Sequence, residues 1–581
     1  MINSRSWRFR SIQVLLAIMG VLIISRIYTF QVSPQAEDFR VGTEYNYVTL
    51  YPARGIIYDR NGNLLAGNIT VYEVGVNLDI VENQGNSEAI ALALSVNIGL
   101  DYGSILNAMM EPGGNRYIVL ADYVSAESIA NLELHMDDLD NSPGTPASSR
   151  LNGIGFKSHF QRIYPENSLA SNLIGFVTRD NNGYFGVEQT YNNLLAGIPR
   201  NVRVPKNPTR VEEVPQVEPG SALILTIDRE IQAAMEDILD QTLYTSGADS
   251  GTIIVMDPKN GEILGMTSTP QIDLNNYMSY VNIFPGGTPF NRAISQAYEP
   301  GSVLKILTLS AAVDSGTVQP STTFFDSGSI VVGGVTIHNW DGGAWGMQDM
   351  TGCTQHSLNV CFAWMATQVK TENFYNYMKR FGLGHITGID LANEAAGRLK
   401  LPGDTDWYPV DLGTNAFGQG LSVTPIQMIM AASAIANQGK MVQPHILMAT
   451  VENDIQQKKS IEIVGNPISA ETALSVNEIL VNSLKNEASD ALVPGYTLAG
   501  KTGTAQIPIF GGYDLYQTNA SFIGWGPVDD PGFMVYLWLE KPKSSTWSSE
   551  VAAPVFSEIV KKLVVLMEIP PDHVRNELAG Q

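Results

Sequence analysis

Three short residue groups in this chain can do chemistry, and they occur in one order: Ser302-Val303-Leu304-Lys305, Ser357-Leu358-Asn359 and Lys501-Thr502-Gly503-Thr504. Together they make up a serine acyl-transfer site whose base is a lysine rather than a histidine. Serine and lysine three residues apart on a helix share one face, with Cβ atoms about 5–6 Å apart. Ser302 is the candidate nucleophile. At a helix start, free backbone N–H groups and the positive end of the dipole both stabilise an oxyanion. Lys305 is the candidate base, provided burial and nearby cations lower its pKa. It lies inside the apolar run Val303–Leu307, an unnatural place for a solvated ammonium. A serine at a helix start is more commonly only a cap. Each group alone is weak, and the ordered set is what carries the inference.

Ser357 adds a second hydroxyl, able to relay a proton. The Asn359 amide can bind a peptide carbonyl or hold a lysine in place. Both are also ordinary turn residues. Lys501, Thr502 and Thr504 put a cation and two hydroxyls on one strand, a donor set suited to a terminal carboxylate. Gly500 and Gly503 permit close backbone approach by a substrate.

The elements that must position these groups can be read from periodicity. Pro300-Gly301 precedes a helix carrying Ile306, Leu307, Leu309, Ala312 and Val313, and Gly316 ends it. Leu223–Ile227 reads as a strand leading to a helix with Ile231, Met235, Ile238 and Leu239 on one face. Thr252–Met256 and Glu262–Thr267 read as strands joined at Lys259-Asn260-Gly261. Leu498–Gln506, Ser521–Trp525 and Met534–Leu539 follow as strands, and Val551–Met567 as a closing helix. Two strands, an all-helical middle, three strands and a final helix imply an antiparallel sheet packed by helices. Thr424-Pro425 starts a middle helix that ends near Gly439. Residues 40–200 read as short strands and helices without a nucleophile motif, a pedestal rather than a second enzyme. Pro199 to Pro219 reads as a linker or extended hairpin.

The chain has 581 residues, enough for two or three domains, and its 44% hydrophobic content supports sizeable cores. A formal net charge of −23 argues against a nucleic-acid partner, whose phosphates need a basic face. Residues 11–25 are uncharged and largely apolar, which is short for a span of about 20 residues. Arg26 can snorkel and lengthen it. Arg5, Arg8 and Arg10 precede the run and keep the N-terminus cytoplasmic. No small-x-small cleavage site is evident, so an uncleaved anchor is expected rather than a signal peptide. The division expected is a cytoplasmic tail 1–10, an anchor 11–32, a pedestal 33–215 and a catalytic region 216–581. No spacing suggests a metal site, and no cofactor is implied. Cys353 and Cys361 flank Ser357 symmetrically. On one continuous helix they would lie about 12 Å apart, too far to bridge. Free buried thiols are therefore expected, unless a turn intervenes.

At these residues the chain resembles class B penicillin-binding proteins, the D,D-transpeptidases of bacterial cell-wall synthesis. The resemblance runs from about Arg54 to Asp572. It includes Arg54-Gly55-Ile56-Ile57-Tyr58-Asp59-Arg60-Asn61-Gly62, Arg162 with Tyr164-Pro165, Gly175 and Gly186-Val187-Glu188. Downstream it includes Phe417-Gly418-Gln419-Gly420, Thr424-Pro425, Ser521-Phe522-Ile523-Gly524 and Ala552-Ala553-Pro554-Val555-Phe556. It departs at Ala53, where proline is usual. The resemblance implies an α+β penicillin-recognising fold on an elongated pedestal with one transmembrane helix, in the plasma membrane with most of the chain outside. It implies that Ser302 attacks a stem peptide ending in D-Ala-D-Ala, releases D-Ala and passes the acyl group to an amine. Lys305 would be the base, Ser357 the relay, Asn359 the substrate orienter. Lys501, Thr502, Gly503 and Thr504 would form the carboxylate strand, and the Ser302 and Thr504 N–H groups the oxyanion hole. β-Lactams would acylate Ser302, and a polytopic membrane glycosyltransferase would be the partner. Asp529-Asp530-Pro531 and Ile569-Pro570-Pro571-Asp572 resemble division-type members and favour a septal over a lateral-wall role. A D,D-carboxypeptidase, a β-lactamase and a non-catalytic β-lactam sensor are the alternatives. Anchor, pedestal and the intact residue set weigh against them.

Overall fold

The structure is a computed structural model that describes residues 3–32, 45–111, 115–205 and 217–579. It divides into two compact units. The smaller comprises residues 1–53 and 196–220. Its helix Asn3–Val32 contains the apolar stretch Phe9–Thr29, 21 residues, long and apolar enough to cross a membrane. Strand Tyr45–Leu50 pairs antiparallel with Arg200–Pro205. The proline-rich segment read as a linker or extended hairpin thus begins as a strand whose partner is distant in sequence, and its residues 206–216 lie outside the described set, as does the expected pedestal start at residue 33.

The larger unit comprises residues 54–195 and 221–581. The pedestal's long strand, Leu64–Asn77, pairs with Ile154–Ile163 and Tyr117–Ser125. Helices Ser87–Ile98 and Tyr102–Met110 follow it. Three sequence-distant motifs converge here, two of them through residues of this sheet, Asn68 and Arg162. The Glu188 carboxylate is fully buried and accepts from Arg54 Nε at 2.7 Å and Arg162 Nε at 2.7 Å. Arg162 also donates to the Gly55 carbonyl at 2.8 Å, and Asn68 donates to that of Arg54 at 2.6 Å. Buried charges persist only when paired and hydrogen-bonded in this manner.

Strand Ala222–Leu225 does not join the catalytic sheet. It pairs in parallel with Ile57–Tyr58 of the pedestal and antiparallel with Leu447–Glu452, so one seven-stranded sheet runs across both regions. The catalytic sheet has five antiparallel strands in the order Ile263–Ser268, Ser250–Met256, Phe533–Glu540, Gly512–Gly526, Ala499–Ile509. The strand bearing Lys501 lies at its edge. Alternation splits the central strand between two cores. Met534, Tyr536 and Trp538 face the helical subdomain with helices Lys305–Asp314, Asn359–Val369 and Pro425–Ala436. Phe533, Val535, Leu537 and Leu539 face helices Arg229–Ser246 and Ala553–Leu566. Each large apolar side chain so buried contributes about 1.5–3 kcal/mol. All twelve residues of Pro425–Ala436 are buried, and a Thr424–Gln427 capping box fixes its start. The sequence suggested an all-helical middle, but the middle of the chain also contains strands. Two small ribbons, Phe324–Asp326 with Gly346–Gln348 and Ser329–Val332 with Val335–His338, interrupt it. Their strands are three or four residues long, too short for a period-two signal to stand out.

Candidate active site

Ser302 sits in a tight 3₁₀ turn, Gly301–Leu304, that feeds directly into helix Lys305–Asp314. Close backbone approach shapes this turn. Gly301 has φ +59°, and a Cβ there would fall 2.8 Å from Ala505 Cβ and 2.9 Å from the Thr504 carbonyl. The Gly301 N–H donates to the Gly418 carbonyl at 3.0 Å, and Gly418 (φ +85°) lies so near that a Cβ would sit 2.1 Å from the Gly301 oxygen. The Phe417-Gly418-Gln419-Gly420 motif therefore acts as a backbone seat for the serine turn. Only glycine fits such a contact.

Lys305 points into the protein and is fully buried. Its Nζ donates to the Ser357 carbonyl at 2.6 Å, Ser357 Oγ at 3.0 Å and Asn359 Oδ1 at 2.8 Å. Burial beside the Phe362 and Phe417 rings pulls the Lys305 ammonium well below the ordinary lysine range. The Lys501 charge pushes it down further, and Glu487 partly offsets this. Charge repulsion and desolvation act together here, both disfavouring the charged ammonium.

Ser357 lies between helices Met350–Gln355 and Asn359–Val369 and has φ +51°. A non-glycine residue in that region costs about 1–3 kcal/mol and holds only where its surroundings impose it. The Ser357 N–H donates to Thr354 O at 3.2 Å and that of Leu358 to Cys353 O at 3.0 Å. Cys353 and Cys361 form a disulfide, with Cα atoms 6.1 Å apart. This overturns the expectation of free thiols. The continuous helix assumed for that estimate breaks at Ser357, and the break folds the two cysteines together.

On the edge strand, the fully buried Lys501 pairs with Glu487, and the Thr502 hydroxyl donates to the same carboxylate oxygen. Lys501 Nζ also reaches Thr502 Oγ1 at 3.2 Å. Gly503 is required by crowding, since a Cβ would meet Ser521 Oγ at 2.5 Å and Val303 Cγ1 at 2.7 Å. The Thr504 hydroxyl is engaged by Ser548. It accepts from the Ser548 N–H at 3.1 Å and lies 3.0 Å from Ser548 Oγ, which donates to the Gly503 carbonyl at 2.6 Å. That serine opens the helical segment just before Ala552-Ala553-Pro554, which explains this motif's place in the site.

A cleft of about 960 Å³ joins these parts, lined by Ser302, Ser357, Asn359, Thr502, Thr504 and Glu487. Two features of it were missed by sequence reasoning. One is Glu487, fourteen positions before Lys501 with no motif around it. The other is an aromatic rim in which Trp340 and Trp547 meet edge to face at 5.0 Å and Trp345 stacks on His356 at 4.0 Å. Neither has a local sequence signature. Among the described residues no cluster of His, Cys, Asp or Glu could hold a metal ion.

Residues 251–561 match the profile of the penicillin binding protein transpeptidase domain, and residues 49–224 that of the penicillin-binding protein dimerisation domain. Stage V sporulation protein D of Bacillus subtilis is 32% identical over 537 residues, 90% of this chain and 79% of that protein. The peptidoglycan D,D-transpeptidase FtsI of Escherichia coli is 27% identical over 597 residues, covering 98% and 93%. Among solved structures, penicillin binding protein 2X of Streptococcus thermophilus superposes with TM-score 0.76 at 22% identity, over 90% of this chain and 80% of that one. Penicillin binding protein 3 of Mycobacterium tuberculosis, complexed with aztreonam, gives 0.69 at 27% identity over 90% and 98%. With the transpeptidase profile alone spanning more than half its length, the chain belongs to the class B penicillin-binding proteins.

Proposed function

We propose that the protein is a peptidoglycan D,D-transpeptidase that cross-links stem peptides through a Ser302 ester. The observation that carries this is the buried Lys305 amine, one turn after Ser302 and bound by Ser357 Oγ and Asn359 Oδ1. A neutral Lys305 gives up one of its three donations and gains a lone pair. Ser302 Oγ attacks the carbonyl carbon of the penultimate D-Ala, and its proton passes to Lys305. The negative oxygen that forms is held by the N–H groups of Ser302 and Thr504. The C–N bond breaks, and a proton travelling from Lys305 through Ser357 leaves with the D-Ala amine. An acceptor amine then attacks the ester and loses its proton to Lys305, and Ser302 regains its own. Asn359 orients Lys305 and the substrate. Lys501 and Thr502 hold the terminal carboxylate, while Thr504, its hydroxyl held by Ser548, takes part through its backbone.

The assignment extends to the whole chain. Residues 1–10 stay in the cytoplasm because of Arg5, Arg8 and Arg10, residues 11–32 cross the membrane, 33–215 form the pedestal and 216–581 the transpeptidase region. The pedestal and anchor suit contact with a polytopic glycosyltransferase. A septal role is favoured, because a relative matched over nearly its whole length is named FtsI and Asp529-Asp530-Pro531 resembles division-type members.

A β-lactam is the decisive probe, because its ring opens onto Ser302 as the substrate amide does. A transpeptidase keeps water from the acyl-enzyme until an amine arrives. Intact-protein mass spectrometry after a penicillin pulse is expected to show one adduct, on Ser302, persisting for many minutes with negligible drug turnover. Rapid return to the unmodified mass with catalytic drug hydrolysis would make the protein a β-lactamase.

A further inference from the structure

Glu487 is the last residue of helix Ala470–Glu487, where the helix dipole disfavours a carboxylate. It is held there by the cleft. Its Oε1 accepts from Lys501 Nζ and Thr502 Oγ1, and its Oε2 is buried with no hydrogen-bond partner among the described residues. Glu487 also lines the cleft that contains Ser302. The protein thus sets its own carboxylate on the two side-chain donors that would receive a ligand's carboxylate. We propose that Glu487 is an internal stand-in for that ligand group: it occupies Lys501 and Thr502 in the free protein and must leave them when an anionic ligand binds. The assignment rests on the transpeptidase reading above, in which Lys501 and Thr502 take the terminal carboxylate.

The physical reason is competition for one cation. Two carboxylates at a single ammonium repel each other, and in a partly desolvated cleft that repulsion is weakly screened. An anionic ligand therefore binds against the work of moving Glu487, whereas a neutral ligand of the same shape does not. Glu487 lowers the preference of the cleft for anions and narrows acceptance to ligands whose remaining contacts suffice to displace it. The unpartnered Oε2 fits such a role, because the carboxylate is only half satisfied where it sits and has less to lose on leaving.

The test compares benzylpenicillin with its neutral methyl ester as acylating agents of the full-length protein in detergent. In Glu487→Gln the ratio of second-order acylation rate constants, acid over ester, is expected to rise about tenfold, the order for one partly screened unit charge at contact distance. An unchanged or lower ratio overturns the assignment. Lys501 loses its buried partner in that variant, so a second measurement uses the wild type. In crystal structures of the two adducts, Glu487 is expected off Lys501 with the acid and on Lys501 with the ester; Glu487 seated on Lys501 in both overturns the assignment. Absence of any Ser302 adduct in the wild type overturns the transpeptidase reading and this assignment with it. An adduct with an unmoved ratio overturns this assignment alone.

Discussion

Lys305 donates to three acceptors and is fully buried, and in the proposed mechanism its charge state decides whether Ser302 can be activated. Burial and Lys501 both lower its pKa, so the protonated, inactive form takes over only as pH falls through that depressed value. Acylation by penicillin is expected to be flat at higher pH and to decline on the acid side. Because Glu487 works in the opposite direction on Lys305, Glu487→Gln should move the acid limb to lower pH. Stopped-flow acylation against pH measures both, and a limb that stays in place or moves upward contradicts the coupling. Lys305→Ala removes the base and is expected to slow acylation about 10²–10⁴-fold. Ser302→Ala should abolish the adduct while the protein remains folded, and labelling of another residue would refute the nucleophile assignment.

At the scale of elements, the Ser357 turn is the part under most constraint. It joins two short helices, carries a positive φ on a residue with a side chain, and presents both Ser357 oxygens to Lys305. The Cys353–Cys361 disulfide closes the loop around it. A loop of this length constrains the unfolded chain by about 2–3 kcal/mol. Cys353→Ser, or reduction of the wild type, is expected to lower the melting temperature and also to slow acylation, since the strained turn loses its clamp. Acylation at full rate after verified reduction would show that the hydrogen bonds at Thr354 and Cys353 hold the turn unaided. The same turn shows why the site was only partly legible in the sequence. Ser302, Lys305, Ser357, Asn359 and Lys501 could be found because local spacing fixes the members of each group. The disulfide could not, because it depends on a helix break that no glycine or proline marks. Glu487 could not, because it reaches Lys501 from another element. The catalytic strands were legible as short, largely apolar runs bounded by turn residues. Strand Ala222–Leu225 was legible as a strand but not in its partners, since pairing across a pedestal is a tertiary choice that four residues do not encode.

For the whole larger unit, the parallel pairing of Ile57–Tyr58 with Ala222–Leu225 means that the pedestal is not an appendage to the catalytic region. Both share a sheet, and Arg54 and Arg162 of the pedestal meet at the buried Glu188. Arg54 adds bonds to Asn181 O at 3.2 Å and Asn192 Oδ1 at 3.0 Å, and Arg162 reaches back to Gly55, so the network ties the first pedestal motif to the last. Removing Glu188, the one carboxylate paired with either arginine among the described residues, leaves two buried guanidinium groups without their shared counter-charge. Breaking a buried pair in that way costs about 3–5 kcal/mol, more than a surface ion pair could. Glu188→Gln is therefore expected to lower thermal stability strongly while leaving the cleft residues in place. Because the sheet is continuous, pedestal and catalytic region should lose structure in one shared transition. Calorimetry of the full chain in detergent, read alongside the temperature at which penicillin labelling of Ser302 disappears, measures this. If the variant produced an early pedestal transition while labelling persisted to the wild-type temperature, the two regions would be thermodynamically separate, and the shared sheet would not couple them.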